Sequence, residues 1–326
     1  MSARRALVTG VAGQDGSYLA ELLVAKGYDV TGLVRDPGDR GRRTLAAVAD
    51  RISLLHGDLH DPQTLVDALG AVRPHELYHL AAPTFVPASW EDPAAVMSAI
   101  PGATGTLLVA AHRLDPATRV FVATSSEIFG DAGESPQRES SPMRPRSPYG
   151  IAKLAAHQLV GALRERLGLF AVSGITYNHE SPRRPEHFLP RKVTRGAAAV
   201  ALGLQDELTL GDLRAVRDWS HAADIVRGAW LSLQVETPGD YVFASGAGRT
   251  VGDLVDAAFA AAGISPDGHV RVDPAFVRPP EATPPVGDPS HARAALGWAP
   301  EIAFEDLIAE MVATDLAELR ASAPGA

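Results

Sequence analysis

Tyr149 and Lys153 stand four residues apart in SPYGIAKLAAHQLVGALRERLG, a stretch with helical periodicity. That spacing puts both side chains on one helix face. An ammonium beside a phenol favours phenolate and lowers the phenol's pKa. Such a tyrosine can take or give a proton while a hydride moves to or from carbon. The lysine can also hold a nicotinamide ribose. Upstream, ATSSEIFG places Ser125, Ser126 and Glu127 at the end of an apolar run. The serine hydroxyls suit hydrogen bonds to a sugar oxygen. A reductase or epimerase needs the hydroxyl and the tyrosine but no carboxylate. A dehydratase does need one, to remove a proton from carbon next to a new ketone, and Glu127 offers it. Its alternative role is a helix or turn cap.

A second constellation lies at the start of the chain. LVTGVAGQDG spaces Gly10, Gly13 and Gly16 between an apolar run and an amphipathic one, with Gln14 and Asp15 between the last two. A dinucleotide pyrophosphate needs glycine at such a turn because its backbone must approach closely, and the next helix offers free N–H groups. The glycines alone are weak evidence; their place at the first strand–helix turn gives them meaning. The following strand ends in Val34-Arg35, where NAD enzymes usually carry Asp or Glu. Arg35, with Arg40, Arg42 and Arg43 close behind, suits a 2′-phosphate and favours NADP over NAD, although Asp36 could serve NAD. Asp58 and Leu59, after the third strand, are expected at the cofactor, Asp58 near the adenine or else capping a turn.

His75-Glu76-Leu77-Tyr78-His79 matches the zinc motif HExxH letter for letter. The motif works on a helix, where residues i and i+4 share a face. PHELYHLAA reads as a buried strand, where the two histidines would lie about 13 Å apart. His56 and His60 meet the same objection. No metal site is expected.

The elements that must position these groups follow from periodicity. Apolar runs at 6–10, 29–34, 52–57, 76–81, 120–125 and 170–175 read as buried parallel strands. Helical stretches separate them, one from about Pro93 to His112 and another opened by Asp61-Pro62, a good N-cap pair. Strand–helix alternation implies an α/β fold, a Rossmann-type doubly wound parallel sheet. After residue 176 the pattern breaks into NHESPRRPEHFLPRK, then shorter helices and strands, with RVDPAFVRPPEATPP as a loop. Residues 1–176 are expected to form the cofactor domain, with elements near 220–245 returning to it. Residues 177–326 are expected to form mainly a smaller α/β substrate-binding domain.

The chain has 326 residues, 30 Lys and Arg, and 39 Asp and Glu, for a net charge of −9. A chain so charged is a poor ligand for nucleic acid or acidic membranes, so an anionic ligand needs a local positive site. The absence of cysteine excludes disulfides, thiolate catalysis and Cys-ligated metals, and fits a cytoplasmic location. No run of about 20 apolar residues is found, so no membrane span is expected, and no secretory signal is read in MSARRALVTGVAGQDG.

GVAGQDGSYLAELLVAKGYDVTGLVR, SPYGIAKL and NHESPRRPEHFLPRKVTR together resemble the GDP-mannose 4,6-dehydratase family of the extended short-chain dehydrogenase/reductase superfamily. LTLGDLRAVRDWSHAADIVRGAW and VRPPEATPPVGDPSHARAALGWAPEI extend the resemblance over nearly the whole chain. It implies a catalytic set of Ser125, Tyr149 and Lys153 with Glu127 as base. It also implies a GDP-sugar site from Ser126, Asn178, Arg183, Lys192, Arg217, Arg278 and Glu281, and a homodimer or homotetramer. The sequence departs from the family where Thr is common at Ser125. It departs again at Pro83 to Phe85, where Gln-Ser-His is common, and at Pro185 and Pro190. Other readings are another nucleotide-sugar dehydratase, a GDP-4-keto-6-deoxysugar reductase or epimerase, and a non-catalytic NADP-binding regulator. Regulators of this superfamily often lose the tyrosine or the lysine, and both are present here.

Overall fold

The computed structural model describes residues 3–38, 43–276 and 283–322. The first half alternates as its apolar runs require: β1 (Arg5–Thr9), α1 (Gln14–Ala25), β2 (Asp29–Val34), β3 (Ser53–His56), α2 (Pro62–Val72), β4 (Glu76–His79), α3 (Pro93–Met97), α4 (Ala103–Leu114), β5 (Arg119–Ala123), α5 (Pro148–Leu167) and β6 (Ala171–Thr176). The second half adds β7 (Asn178–Glu180), α6 (Leu189–Ala201), β8 (Leu208–Leu210), β9 (Val216–His221), α7 (Ala222–Ser232), β10 (Asp240–Phe243), β11 (Gly248–Thr250), α8 (Val251–Ala261), β12 (Val270–Val272), α9 (Ser290–Leu296) and α10 (Phe304–Ser322).

Seven strands form one parallel sheet in the order β10-β6-β5-β4-β1-β2-β3. The chain runs outward from β1 to β3, then restarts on the other side of β1 with β4. This reversal is the topological switch point at which doubly wound sheets bind ligands, beyond the carboxyl ends of the strands. Helices cover both faces, which is why the strands are apolar on both sides. Leu19 and Leu23 of α1 pack with Ile225, Val226 and Ala229 of α7 on one face. Leu65 and Leu69 of α2 meet Leu107, Leu108 and Ala111 of α4 on the other. A third core joins Val193 and Ala197 of α6, Leu254 and Phe259 of α8, and Met311 and Val312 of α10. Above it, β7 lies parallel and β11 antiparallel to β9.

Asp61 caps α2 as its sequence requires, its carboxylate accepting from the Gln63 N–H at 3.1 Å. The helix expected from about Pro93 to His112 is α3 and α4 joined by a π-helical turn, Ser98–Gly102, which holds Pro101. Pro101 has no N–H to donate, and the wider turn accommodates it. This corrects the membrane expectation in one respect: Pro93–Leu114 is long and apolar enough to cross a bilayer, with a mean hydropathy of 1.6. Half of its apolar window is buried, and the α4 part packs on α2 as a core helix. A second correction concerns RVDPAFVRPPEATPP, whose first residues form β12 beside β8 instead of loop.

Candidate active site

β5 and α5 deliver the acid–base groups to one point. β5 ends at Ala123, and Ser125 caps the short 3-10 turn Ser126–Ile128, its hydroxyl accepting from the Glu127 N–H at 3.3 Å. Ser147 caps α5 by accepting from the Gly150 N–H at 3.0 Å, and Pro148 takes the first helical position. Tyr149 is thereby fixed in the first turn, buried at 7% exposure, with Ser125 as a side-chain hydrogen-bond partner of its phenol. One turn on, the buried Lys153 ammonium donates to the Ala123 carbonyl at 2.7 Å. Glu127 is exposed on the same turn and within electrostatic reach of Tyr149.

Burial dominates the electrostatics here. It holds the Tyr149 phenol well above the ordinary tyrosine value, with the Glu127 charge adding and the Ser125 hydrogen bond opposing. Burial also pushes Lys153 down to about 8, against the Asp15 carboxylate, which favours the ammonium. This corrects the expectation that Lys153 lowers the phenol. Its ammonium lies 5.8 Å from the centre of the ring and is directed to a carbonyl. His79, at the end of β4, is pushed down to about 3 by burial and by Lys153, and its Nδ1 meets Thr9 Oγ1 at 2.9 Å. HExxH is therefore strand and loop: His75 Nδ1 accepts from the Arg5 N–H at 2.9 Å, and Glu76 is buried among Arg4, Tyr28 and Tyr78.

The glycine loop sits at the switch point. Gly10 adopts a φ of 70°, and a Cβ there would lie 2.9 Å from the Ala81 Cα beyond β4. A Cβ on Gly16 would collide with the Gly10 carbonyl. Gly13 caps α1 without a side chain, so bare backbone faces the crevice. The cradle fits a dinucleotide pyrophosphate. Arg35 is exposed at the end of β2, its carbonyl 2.9 Å from His56 Nδ1. Asp58 takes its capping role, accepting from the His60 N–H at 2.9 Å, and Leu59 packs on the α2–α4 core. Arg40 and Arg42 lie outside the described residues.

Gln14 and Asp15 point toward the second half. Gln14 donates to the His179 carbonyl at 3.0 Å and accepts from the Ser181 hydroxyl at 2.8 Å. Asp15 pairs with His179 at 2.9 Å. Asn178 thus begins a strand whose neighbours are bonded to the glycine-loop helix. Arg183 belongs to the same fastening: it donates to Ser17 and Glu21 and covers the Tyr18 ring. Lys192 is exposed, donates to the Thr209 carbonyl at 2.8 Å and lies over Phe276. Arg217 on β9 donates to the Val216 carbonyl at 2.6 Å. The structure brings Ser125, Tyr149 and Lys153 together with Glu127 beside them, whereas Arg183, Lys192 and Arg217 engage different elements. Arg278 and Glu281 lie outside the described residues.

Sequence reasoning missed His179, Glu180 and Arg184. Glu180 is fully buried and paired with Arg184 at 3.1 Å, and Arg184 acts on Tyr149. Their only signal is their place in the NHESPRR run, where nothing in the spacing separates them from surface charge. A cavity of about 310 Å³ was missed as well. Pro83, Thr84, Phe85 and Ser89 line it from one side, Pro185, His187 and Phe188 from the other. Phe85 meets His187 and Phe188 edge-on at 5.0 and 5.8 Å. Two departures from the family pattern, at 83–85 and at Pro185, therefore face each other. Val96, also in the lining, packs with Tyr149.

A doubly wound sheet with a glycine cradle at its switch point and a Ser–Tyr–Lys set beyond β5 defines a nucleotide-dependent enzyme of the short-chain dehydrogenase/reductase class. A putative epimerase from Burkholderia cenocepacia shares the fold with a TM-score of 0.84 and 27% identity, over 96% of this chain and 98% of that one. The sequence pattern of the GDP-mannose 4,6 dehydratase family matches residues 7–311. GDP-mannose 4,6-dehydratase of Yersinia enterocolitica is 40% identical over 97% of this chain and 95% of its own. GDP-mannose 4,6 dehydratase 1 of Arabidopsis thaliana is 42% identical over 95% and 89%. The chain belongs to the GDP-mannose 4,6-dehydratase family.

Proposed function

We propose that this protein converts GDP-D-mannose to GDP-4-keto-6-deoxy-D-mannose, a hydro-lyase reaction that uses NADP. The observation that carries the reading is Glu127 beside the Ser125–Tyr149–Lys153 set, because elimination is the step that needs a carboxylate. When bound, NADP would supply the hydride acceptor for oxidation at C4 and the hydride donor for reduction at C6, with no net change of its own. The glycine loop would hold its pyrophosphate and Arg35 its 2′-phosphate, which favours NADP over NAD.

The remaining steps fall to the chain's own side chains. Ser125 orients the C4 oxygen and Tyr149 takes the proton of the C4 hydroxyl. Lys153 is the cation able to stabilise the phenolate. Once C4 is a ketone, the C5 hydrogen is acidic. Glu127 takes that proton and passes it to the C6 oxygen, which leaves as water. As C6 is reduced, the proton that Tyr149 took from the C4 hydroxyl is delivered to C5, so the tyrosine ends as it began. Burial keeps the phenol protonated at rest and the Ser125 hydrogen bond opposes it, so the step that needs phenolate depends on Ser125.

Ser126, Asn178, Arg183, Lys192, Arg217, Arg278 and Glu281 remain the proposed GDP-sugar residues. Arg183 contributes by fixing the 178–184 segment on α1. The proposed division assigns residues 1–176, with α7 and β10, to the cofactor, and most of 177–326 to the nucleotide sugar. A homodimer or homotetramer in the cytoplasm completes the reading, supported by the family resemblance and by the absence of cysteine.

The test is incubation with GDP-mannose and a trace of NADP+, followed by mass spectrometry of the nucleotide sugar. Loss of one water with no net NADPH is expected. Turnover only with stoichiometric NADPH would replace the dehydratase with the reductase reading.

A further inference from the structure

His179 is the second residue of β7, and both nitrogens of its ring face oxygens that accept. Nδ1 lies 2.7 Å from the Tyr177 carbonyl, and Nε2 lies 2.9 Å from Asp15 Oδ2. A neutral imidazole carries one N–H, so it would satisfy one contact and set a lone pair against the other oxygen. The alternative is a neutral pair, with the shared proton on the carboxylate. Imidazole is the stronger base by more than two pKa units in model peptides, about 6.5 against 3.9, which places the proton on the ring. Gln14 reinforces the ionised carboxylate by donating to Asp15 Oδ1 at 3.2 Å.

We propose that His179 is an imidazolium that holds the Asp15 carboxylate in place as a positioning pair for the charge of the acid–base site. The charges around the pair agree. Burial alone would lower His179, but Asp15 outweighs it and the net shift is upward. Asp15 is lowered by His179 despite burial. Arg184 from the following loop, Glu180 on the same strand and His221 at the end of β9 also interact electrostatically with His179. At Lys153, burial is opposed by Asp15, while His79 nearby is neutral at any working pH. The pair joins the glycine-loop helix to β7, so the charge on the catalytic lysine depends on a contact between the two halves of the chain. Its consequence for catalysis rests on the role proposed for Lys153.

The sequence makes a direct test practical, because the chain has three lysines, Lys26, Lys153 and Lys192. Carbon-13 labelling of the lysine side chains in the full-length holoenzyme gives three resolvable titrations. Lys153→Met identifies the signal of interest. In Asp15→Asn that signal should titrate at least about one pH unit lower than in the unaltered protein. The alkaline limb of the pH–rate profile should move down by the same amount. Nitrogen-15 labelling of histidine should show both His179 nitrogens protonated at pH 7, with His179→Gln, or His179→Asn if the first does not fold, marking the resonance. A singly protonated ring at pH 7, or a Lys153 titration unmoved in Asp15→Asn, overturns the proposal. Both spectra are read without turnover, so failure of the dehydratase reading would appear separately, as an inert GDP-mannose assay.

Discussion

Two walls flank the acid–base residues, and they are built oppositely from adjacent pieces of chain. Residues 178–184 form a polar wall, fastened to α1 through His179, Ser181 and Arg183. Residues 185–188 follow it, with Arg184 over the Phe188 ring, and form an apolar wall with the segment after β4, where Phe85 meets His187 and Phe188 edge-on. The polar wall is held by directional bonds of fixed length. The apolar wall rests on contact area and ring geometry, which tolerate exchange of residue types. The departures from the family pattern at Pro83–Phe85 and Pro185 fall in the apolar wall. The two walls are thus built of material with different tolerance for change.

The largest effect should come from the groups between the walls. Tyr149→Phe should lower kcat about 10³-fold or more with KM for GDP-mannose little changed, measured by mass spectrometry of the product. A smaller loss would move the proton-transfer role elsewhere and break the comparison at its centre. Glu127→Gln should cost about 10²- to 10³-fold in water loss. It should also abolish exchange of the C5 hydrogen with deuterium from solvent; retained exchange would assign the base to another residue.

The apolar wall should respond differently. Phe85→Ser should raise KM up to about tenfold, as expected for loss of one aromatic contact set, while kcat stays within a few-fold. An equal fall in kcat would show that this wall takes part in the chemistry, and the distinction would fail.

The smallest effect is on stability and depends on pH. The Lys153 pKa is about 8 in the folded chain against 10.5 ordinarily, so the unfolded chain binds more protons between these values. Stability from this group therefore rises as pH rises from about 8 to 10.5. At neutral pH the same shift makes the buried ammonium destabilising by about 3 kcal/mol. Thermal melts of Lys153→Met should lose the rise and gain a few degrees at pH 7, in a protein that no longer turns over. A variant less stable than the parent at pH 7 would count against this reading of the lysine.

Much of this was legible in the sequence for physical reasons. The parallel strands announce themselves because burial on both faces demands continuous apolar runs, as in ALVTG and VFVAT. Tyr149 and Lys153 are visible because helix geometry fixes what four residues apart means. The polar wall was not visible. β7 is three residues long, reads Asn-His-Glu, and is a strand because its backbone pairs with β9, which leaves no side-chain period. Arg183, placed at the substrate by the family resemblance, also pairs with Glu21 of α1, 162 positions away, a contact that its charge alone does not announce. The lowering of Tyr149 by Lys153 failed on burial, which residue spacing does not report.

β10 has a consequence for how the molecule is made. The outer strand beside β6 is supplied by residues 240–243, after the chain has left the sheet at Thr176 and built α6, β8 and β9. During synthesis the edge of β6 therefore stays open for more than sixty residues. A ribosome adding about 5–20 residues each second keeps it exposed for seconds. An unpaired parallel edge is a template for wrong partners, so the interval before Phe243 emerges is when this chain most needs a chaperone's cover.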